Sequence, residues 1–152
     1  MVWMLLPAGI FAADDIMKRK AESWKEEEPP RKVFGGRIIL QKLLNRGAAF
    51  SFMQERPKVL TYMTATVTAG IIAGYVWIGK EKKMLLLKTG AGMILGGALS
   101  NLRDRICRGY VVDYFSFHTK SGKLEKLVFN LSDMFIFLGG ILVIFWNMLR
   151  KS

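Results

Sequence analysis

Residues 96–115 read GGALSNLRDRICRGYVVDYF, and residues 128–133 read VFNLSD. These two blocks place acidic side chains beside long apolar segments, at Asp104, Asp113 and Asp133. An ionisable group at the edge of a hydrocarbon-length segment is costly unless it is paired or takes part in chemistry. Asp113 stands before a polar loop, and Asp133 stands at the start of the last apolar run. We therefore expect these two acids to face each other at a membrane surface.

Long apolar runs predict the fold class. Hydrophobic residues make up 51% of the 152 residues, and residues 59–78 contain no charge. That run has the length a helix needs to cross about 30 Å of hydrocarbon. Residues 84–101 and 134–149 form two further runs. The sequence therefore predicts an all-α membrane protein, a four-transmembrane-helix bundle that forms a single integral-membrane domain over residues 1–152.

The first of the four helices is predicted from a shorter run. Residues 1–13 are uncharged, which gives about 20 Å of helix. We interpret them as a helix that continues to Met17, with its acids at the outer interface. An interfacial segment that does not span the bilayer is the alternative. Residues 18–32 are charged and contain Pro29 and Pro30, so we expect a solvated connection there.

A small β element is predicted between the first two runs, over residues 33–52. Gly35 and Gly36 indicate a turn, and the residues that follow are partly β-branched. The predicted strand, residues 37–44, pairs either with Val33 and Phe34 or with residues 48–52. A helix over residues 38–44 is the alternative, because short apolar runs are ambiguous.

Charge near the helix ends predicts the orientation. Lysines in the short 80–83 connection and the basic C-terminal tail favour a cytoplasmic position for both. With four spans, the N-terminus is then also cytoplasmic, and the β element lies on the outer membrane surface. Small residues at helix-packing spacing, Gly70 with Gly74 and Gly92 with Gly96, predict close contacts of the second and third helices.

Composition excludes several kinds of site. The net charge is +11, yet the sequence contains no basic recognition module or RNA-binding aromatic signature, so no nucleic-acid partner is expected. Basic residues beside membrane spans more often meet the headgroups of membrane lipids. A single cysteine, Cys107, and a single histidine, His118, exclude a disulfide, a cysteine-based zinc site and a histidine cluster. No metal and no cofactor are expected.

The polar residues near the two acids have both structural and functional interpretations. Asn101 and Arg105 are four residues apart and share a helix face, which is typical either of a helix end that reaches water or of a substrate anchor. Alternation along a short extended segment places Asp113 on an apolar side. Asp133 and its neighbours are also natural helix caps.

The blocks GGALSNLRDR, RGYVVDYF and FNLSD together resemble the signature blocks of signal peptidase II, the lipoprotein signal peptidase family. Residues 45–51 resemble that family's Asn-x-Gly-x-Ala-Phe loop, and Asp14 with Lys18 resembles the Asp-x-x-x-Lys that ends its first span. The resemblance implies a catalytic pair at Asp113 and Asp133. It also implies substrate-binding or supporting roles at seven positions, which are Asp14, Asn45, Gly47, Asn101, Asp104, Arg105 and Asn130.

Two departures from the family pattern lie next to these positions. Ser132 stands where the family commonly has Ala, and we expect it to add a hydrogen bond to Asp133. Asp15 follows Asp14 directly, so either carboxyl could fill that position.

The activity implied by the resemblance is that of an intramembrane aspartyl endopeptidase. Such an enzyme removes signal peptides from diacylglyceryl-modified prolipoproteins on the N-terminal side of the lipidated cysteine. The expected location is the bacterial cytoplasmic membrane, with the active site near the outer face, and the expected state is a monomer among membrane lipids. A small proton- or ion-coupled transporter subunit is the alternative, and an inactive lipoprotein-binding relative is a third possibility.

Overall fold

The computed structural model describes residues 2–25, 29–48, 52–81, 84–119 and 127–151. Within these ranges the chain forms four helices, three strands and a 3₁₀ turn at Val2–Met4. The helices are α1 (Leu5–Glu22), α2 (Pro57–Gly79), α3 (Leu85–Cys107) and α4 (Leu131–Lys151). The strands are β1 (Arg31–Val33), β2 (Ile38–Asn45) and β3 (Val111–Phe117). The structure is therefore mostly helical, with one small sheet.

Three helices in the described residues are long and apolar enough to cross a membrane: α2, α3 and residues Leu131–Arg150 of α4. The three predicted apolar runs are confirmed as helices. The first helix forms as well, but six of the 18 residues of α1 are charged, and it is not one of these three candidate spans.

The end of α1 differs from the prediction. The helix continues to Glu22 rather than Met17, and Lys18 is fully buried rather than solvated. Burial of this lysine is possible because Asp14, four residues earlier, and Asp104 of α3 both pair with it. The expectation of a connection was therefore wrong for residues 18–22, which are helical, while Arg19 and Lys20 are exposed as expected.

Helix α3 occupies the centre of the bundle, where it packs against α1, α2 and α4. Glycines permit these close approaches: a methyl group at Gly96 would lie 2.8 Å from the Pro7 carbonyl oxygen, and one at Gly97 would lie 2.6 Å from the Ser132 carbonyl oxygen. Packing at Gly92 and Gly96 is thus confirmed. The prediction for Gly70 and Gly74 was wrong, because a methyl group at either would meet nothing within 4 Å.

The three strands form an antiparallel sheet in the order β1-β2-β3. Strand β2 pairs with β1 through Val33 and Ile38, as one of the two predicted pairings requires, while Phe34 lies in the turn. The helix alternative for this segment is wrong. On its other side β2 pairs with β3. Residues 49–51 of the predicted β element, and the lysines at 82 and 83 used to predict orientation, lie outside the described residues.

Strand β3 carries side chains to two different environments. Gly109, with φ of +79°, allows the chain to turn sharply between the end of α3 and the strand. Val112 and Tyr114 are buried in a cluster with Ala21 of α1. Val111 and Asp113 line a cavity on the other side. The predicted alternation is therefore confirmed, and it directs Asp113 into that cavity.

Candidate active site

The cavity beside β3 has a volume of about 500 Å³ and lies between the sheet, α3 and the start of α4. Asp113 and Asp133 both line it, together with Asn45 of β2 and with Asn101 and Arg105 of α3. Residues from four separate elements thus meet in one space. The structure brings together five of the nine residues singled out by the sequence analysis. Gly47 and Asn130 contact these five, and Asp14 and Asp104 lie behind them.

Asp113 accepts hydrogen bonds from two asparagine amides. The side-chain nitrogen of Asn45 lies 3.0 Å from its Oδ2, and that of Asn130 lies 2.7 Å from its Oδ1. Asparagine donors bind a carboxylate without bringing a full positive charge to it. Burial, and next the negative charge of Asp133, raise the pKa of Asp113 to about 7. This carboxyl can therefore carry a proton near neutral pH.

Asp133 is held at the first turn of α4. Its Oδ2 accepts the backbone N–H of Asn130 at 3.1 Å, and its own N–H donates to Asn130 Oδ1 at 2.9 Å. This reciprocal arrangement is a capping box. The structural interpretation of Asp133 as a cap is thus correct, but the residue does more than cap. Its Oδ1 accepts a third bond, 3.0 Å long, from the side-chain nitrogen of Asn101.

All four carboxyl oxygens of the two acids therefore accept one hydrogen bond each within the described part of the chain. Asn45, Asn101 and Asn130 supply every one of these donors. Asn130 contacts both acids, so the two carboxyls are held a short distance apart by a single residue. No ion pair with either acid is formed by the residues that the structure describes.

The three asparagine amides are oriented because a donor holds each amide oxygen. Gly47 N–H donates to Asn45 Oδ1 at 3.0 Å, and the Lys18 ammonium donates to Asn101 Oδ1 at 2.9 Å. The oxygen of Asn130 accepts the N–H of Asp133, as described above. With its oxygen held in this way, each amide must turn its NH₂ group toward a carboxylate.

Arg105 lines the cavity with unused donors. One Nη2 hydrogen bond reaches the carbonyl oxygen of Gly47 at 3.1 Å. The buried Nε and Nη1 atoms have no partner among the described residues. Unpaired buried N–H groups are costly, so they favour an acceptor that binds in the cavity. Gly47 itself contributes its backbone, which connects Asn45 to Arg105.

A second group of charged residues lies behind the cavity. Asp14 is fully buried and accepts bonds from Lys18 at 2.8 Å, Ser100 at 2.6 Å, Ser132 at 2.5 Å and Tyr114 at 3.0 Å. These donors come from α1, α3, α4 and β3. Asp14 therefore connects α1 to α3, α4 and β3, three of the elements that line the cavity.

Asp104 completes this group rather than lining the cavity. It pairs with Lys18 at 3.0 Å and with Arg108, and it accepts the N–H of Val112 at 3.2 Å. Its carboxyl thus connects the end of α3 to the start of β3. Because Val112 directly precedes Asp113, Asp104 anchors the strand one residue before the acid that lines the cavity.

Two expectations about neighbouring residues change. Ser132 was expected to bond to Asp133, but its hydroxyl donates to Asp14 instead. This happens because adjacent residues of a helix point about 100° apart, so Ser132 and Asp133 face different groups. Asp15 pairs with Arg19 and Arg103 at the surface of the helix, so Asp14 alone occupies the buried position.

Sequence reasoning assigned no site role to Lys18, Ser100 or Tyr114, although all three contact Asp14. The spacing of Asp14 and Lys18, four residues apart in a helix, was the one local signal. Ser100 and Tyr114 gave none, because their partner lies 86 and 100 residues away along the chain.

Comparison with known proteins connects this geometry to a family. The family model for signal peptidase (SPase) II matches residues 6–149. A curated lipoprotein signal peptidase of Moorella thermoacetica is 31% identical over 152 residues, which cover 100% of this chain and 95% of that protein. One of Ectopseudomonas mendocina is 34% identical over 143 residues, covering 93% and 84%.

A shorter match has higher identity. The lipoprotein signal peptidase of Caldanaerobacter subterraneus subsp. tengcongensis is 43% identical over 99 residues, which are 65% of this chain and span 63% of that protein. Among solved structures, a bacterial membrane enzyme at 2.3 Å resolution superposes with a TM-score of 0.84 at 20% identity, covering 99% of this chain and 90% of that one. That likeness concerns the fold. The match of the family model over nearly the whole chain, with the full-length relatives, shows that this protein belongs to the signal peptidase II family.

Proposed function

We propose that this protein is a bacterial membrane peptidase that removes signal peptides from diacylglyceryl-modified prolipoproteins, and that Asp113 and Asp133 are its catalytic pair. The observation that carries the proposal is the set of contacts around these two carboxyls. Both line one cavity, both contact Asn130, and their described hydrogen-bond donors are neutral amides. Two close acids with no cation paired to them favour a shared proton.

The shared proton gives the two acids complementary roles. The ionised carboxylate takes a proton from a water molecule, whose oxygen attacks the scissile carbonyl carbon. The protonated carboxyl donates a hydrogen bond to the carbonyl oxygen and polarises it. When the tetrahedral intermediate collapses, the carbon–nitrogen bond breaks, and a proton passes to the amine of the lipidated cysteine. The cut therefore falls on the N-terminal side of that cysteine.

The seven supporting residues divide into three roles in this proposal. Asn45, Asn101 and Asn130 orient the two carboxyls, and Arg105 offers its unused N–H groups to a carbonyl oxygen of the substrate. The remaining three, Asp14, Asp104 and Gly47, hold these side chains in place.

We also propose that α1 crosses the membrane as a fourth span. Near the start of α3, the Lys88 ammonium lies 5.9 Å from the centre of the Trp3 ring, beside the start of α1. Near the end of α3, Asp104 pairs with Lys18, close to the end of α1. The 16 residues from Lys88 to Asp104 correspond to about 24 Å of helix, most of the hydrocarbon thickness. The charge of the short cationic ends supports an outer position for the sheet and the cavity, in the cytoplasmic membrane.

The test is cleavage by the purified protein. A diacylglyceryl-modified prolipoprotein is incubated with it in detergent micelles, and the product masses are read. We expect two products, with the lipidated cysteine at the new N-terminus. The same precursor without the lipid is the control, and we expect little cleavage of it. If the folded protein leaves the lipidated precursor intact, the peptidase proposal is wrong and proton-coupled transport becomes the hypothesis to measure. Light scattering of the micelles is expected to give the mass of one chain, as a monomer requires.

A further inference from the structure

A second groove lies between α2, α3 and α4. Its volume is about 320 Å³, and most of its walls are apolar side chains such as Val67, Ile71 and Ile94. Three residues line both this groove and the cavity of the acid pair: Asn101, Arg105 and Ile136. A molecule bound in the cavity therefore has a direct route into the groove.

One hydroxyl in the groove has no hydrogen-bond partner among the described residues. The hydroxyls of Thr61, Thr64 and Thr66 on α2 each donate to the carbonyl oxygen four residues earlier. Thr68 also lines the groove and is only 1% exposed, yet its hydroxyl has no partner among the described residues. An unpaired hydroxyl buried in an apolar wall is costly, so it favours an acceptor that enters the groove.

The length and lining of the groove suit a hydrocarbon chain. From Ile94 to Arg105, helix α3 rises about 16 Å. Mostly apolar side chains of α2 and α3 line the groove along this length, and it meets the cavity at Asn101 and Arg105. A hydrocarbon chain that enters from the cavity therefore meets a mostly apolar wall.

We propose that this groove binds one acyl chain of the substrate's diacylglyceryl group, and that Thr68 donates a hydrogen bond to the ester carbonyl of that chain. The inference rests on the proposed function. In that reaction the lipidated cysteine directly follows the bond that is cut, so its glyceryl group leaves the cavity beside Asn101 and Arg105. The ester carbonyl is the acceptor that accompanies a hydrocarbon chain in such a substrate, and Thr68 has the hydroxyl that is unpaired in the apolar part of the groove among the described residues.

The first experiment measures cleavage kinetics with two substrates. One carries the natural diacyl esters, and the other carries dialkyl ethers of equal chain length, which lack the carbonyl groups. Thr68→Val removes the hydroxyl and keeps the shape of the side chain. We expect KM for the ester substrate to rise about fivefold with kcat unchanged, and KM for the ether substrate to stay the same. Thr66→Val is the matched control, because Thr66 is exposed on the same helix and does not line the groove.

The results separate the two proposals. If wild-type protein cuts neither substrate, the proposed function fails, and this inference fails with it. If wild-type protein cuts the ester substrate but Thr68→Val changes KM for both substrates equally, or for neither, the assignment of Thr68 alone is overturned.

A second experiment locates the acyl chain directly. The Asp113→Asn variant is loaded with uncut precursor whose acyl chain carries a diazirine, and the cross-linked peptides are sequenced after illumination. We expect adducts on Val67, Ile71 and Ile94, and we expect excess unlabelled precursor to remove them. Adducts confined to other faces overturn the groove assignment. So does labelling of the groove by a diazirine phospholipid that the precursor fails to displace, since the groove would then be a site for bilayer lipid.

Discussion

Four aspartates at the cavity and behind it form two groups that differ in what they contact. Asp14 and Asp104 share the ammonium of Lys18, and Asp104 also pairs with Arg108. The acid pair at Asp113 and Asp133 shares Asn130 instead, and in the described part of the chain its donors are amides.

This difference matches the two roles in the proposed function, in which Asp14 and Asp104 hold the structure and the acid pair carries out the reaction. The Lys18 ammonium pairs with both carboxyls of the first group and so connects α1 to α3. An amide fixes the position of a carboxyl by a hydrogen bond but supplies no full charge, so the proton can still be gained or lost. The same side chain thus serves as an ion-pair partner in one group and, in the proposed function, as a proton donor or acceptor in the other.

The largest expected effect concerns the acid pair as a unit. Replacing either acid, Asp113→Asn or Asp133→Asn, should lower kcat by about 10³-fold or more, because an amide can neither take a proton from water nor donate one to the leaving amine. The double variant should be scarcely slower than either single one, since residues that act as a unit are non-additive. The measurement is prolipoprotein cleavage by variants whose circular dichroism matches wild type. Substantial turnover by either single variant contradicts the paired role.

Removing the shared cation should destabilise the fold. Lys18→Met leaves Asp14 and Asp104 buried with one fewer positive charge, which should cost about 3–5 kcal/mol of unfolding free energy. Arg19→Met is the matched control: Arg19 lies next in the helix, and its pair with Asp15 is exposed, so about 1 kcal/mol or less is expected. Thermal unfolding in detergent, followed by tryptophan fluorescence, compares the two. Equal melting temperatures would show that Lys18 has no special structural role.

The carboxyl of Asp113 should make the free energy of unfolding depend on pH. The pKa of Asp113 is raised from its ordinary value of 3.8 to about 7, so between these values the folded state keeps a proton that the unfolded state has lost. Wild-type stability should therefore fall as the pH rises through this window and level off above it. The Asp113→Asn variant has no carboxyl that titrates at this position, so its stability does not fall in this way. The amount by which its unfolding free energy exceeds that of wild type should therefore grow from near zero at about pH 4 to roughly 4 kcal/mol at the most above pH 7. A stability difference that does not change with pH would contradict the raised pKa.

A smaller effect on stability is expected for Ser132, whose hydroxyl donates to Asp14. Ser132→Ala removes one of the four hydrogen bonds to Asp14 and should cost about 1–2 kcal/mol of stability, because charge-assisted hydrogen bonds exceed neutral ones. Ser23→Ala, at an exposed hydroxyl that bonds to the Lys20 carbonyl, is the control and should change stability by less. If Ser132→Ala instead abolished cleavage without affecting melting, the separation of the two groups would be wrong.

The smallest effect should come from replacing Cys107, which belongs to neither group of carboxyls. Cys107 is exposed at the end of α3, and the proposed chemistry does not use it. Cys107→Ser should leave kcat and KM within about twofold of wild type. Loss of cleavage in a folded Cys107→Ser variant would point to thiol chemistry.

Features that depend on residues close together in the chain could be predicted from the sequence. The length of the apolar runs predicted the helices α2, α3 and α4, since a helix across a bilayer needs about 20 apolar residues. The alternation in β3 predicted that Asp113 would share a side with Val111, because successive strand residues point to opposite faces.

Features that depend on distant partners could not be predicted. Strand β2 pairs with β3, which lies more than 60 residues later in the chain. No pattern among neighbouring residues predicts that pairing. Ser132 was assigned to its neighbour Asp133, whereas its partner is Asp14, 118 residues earlier. Lys18 looked like a solvated charge because the acid that helps to bury it, Asp104, lies on another helix.

The position of Asn130 connects local unfolding to chemistry. This residue is the cap of α4, and its side chain also holds Asp113. Helix ends are the parts of a helix that open most readily, often far below the temperature at which the whole fold is lost. Each opening of the first turn of α4 would release Asp113 and displace Asp133 together. Heating should therefore stop cleavage reversibly before the protein melts, and the rate of cleavage would then report the opening of a single helical turn.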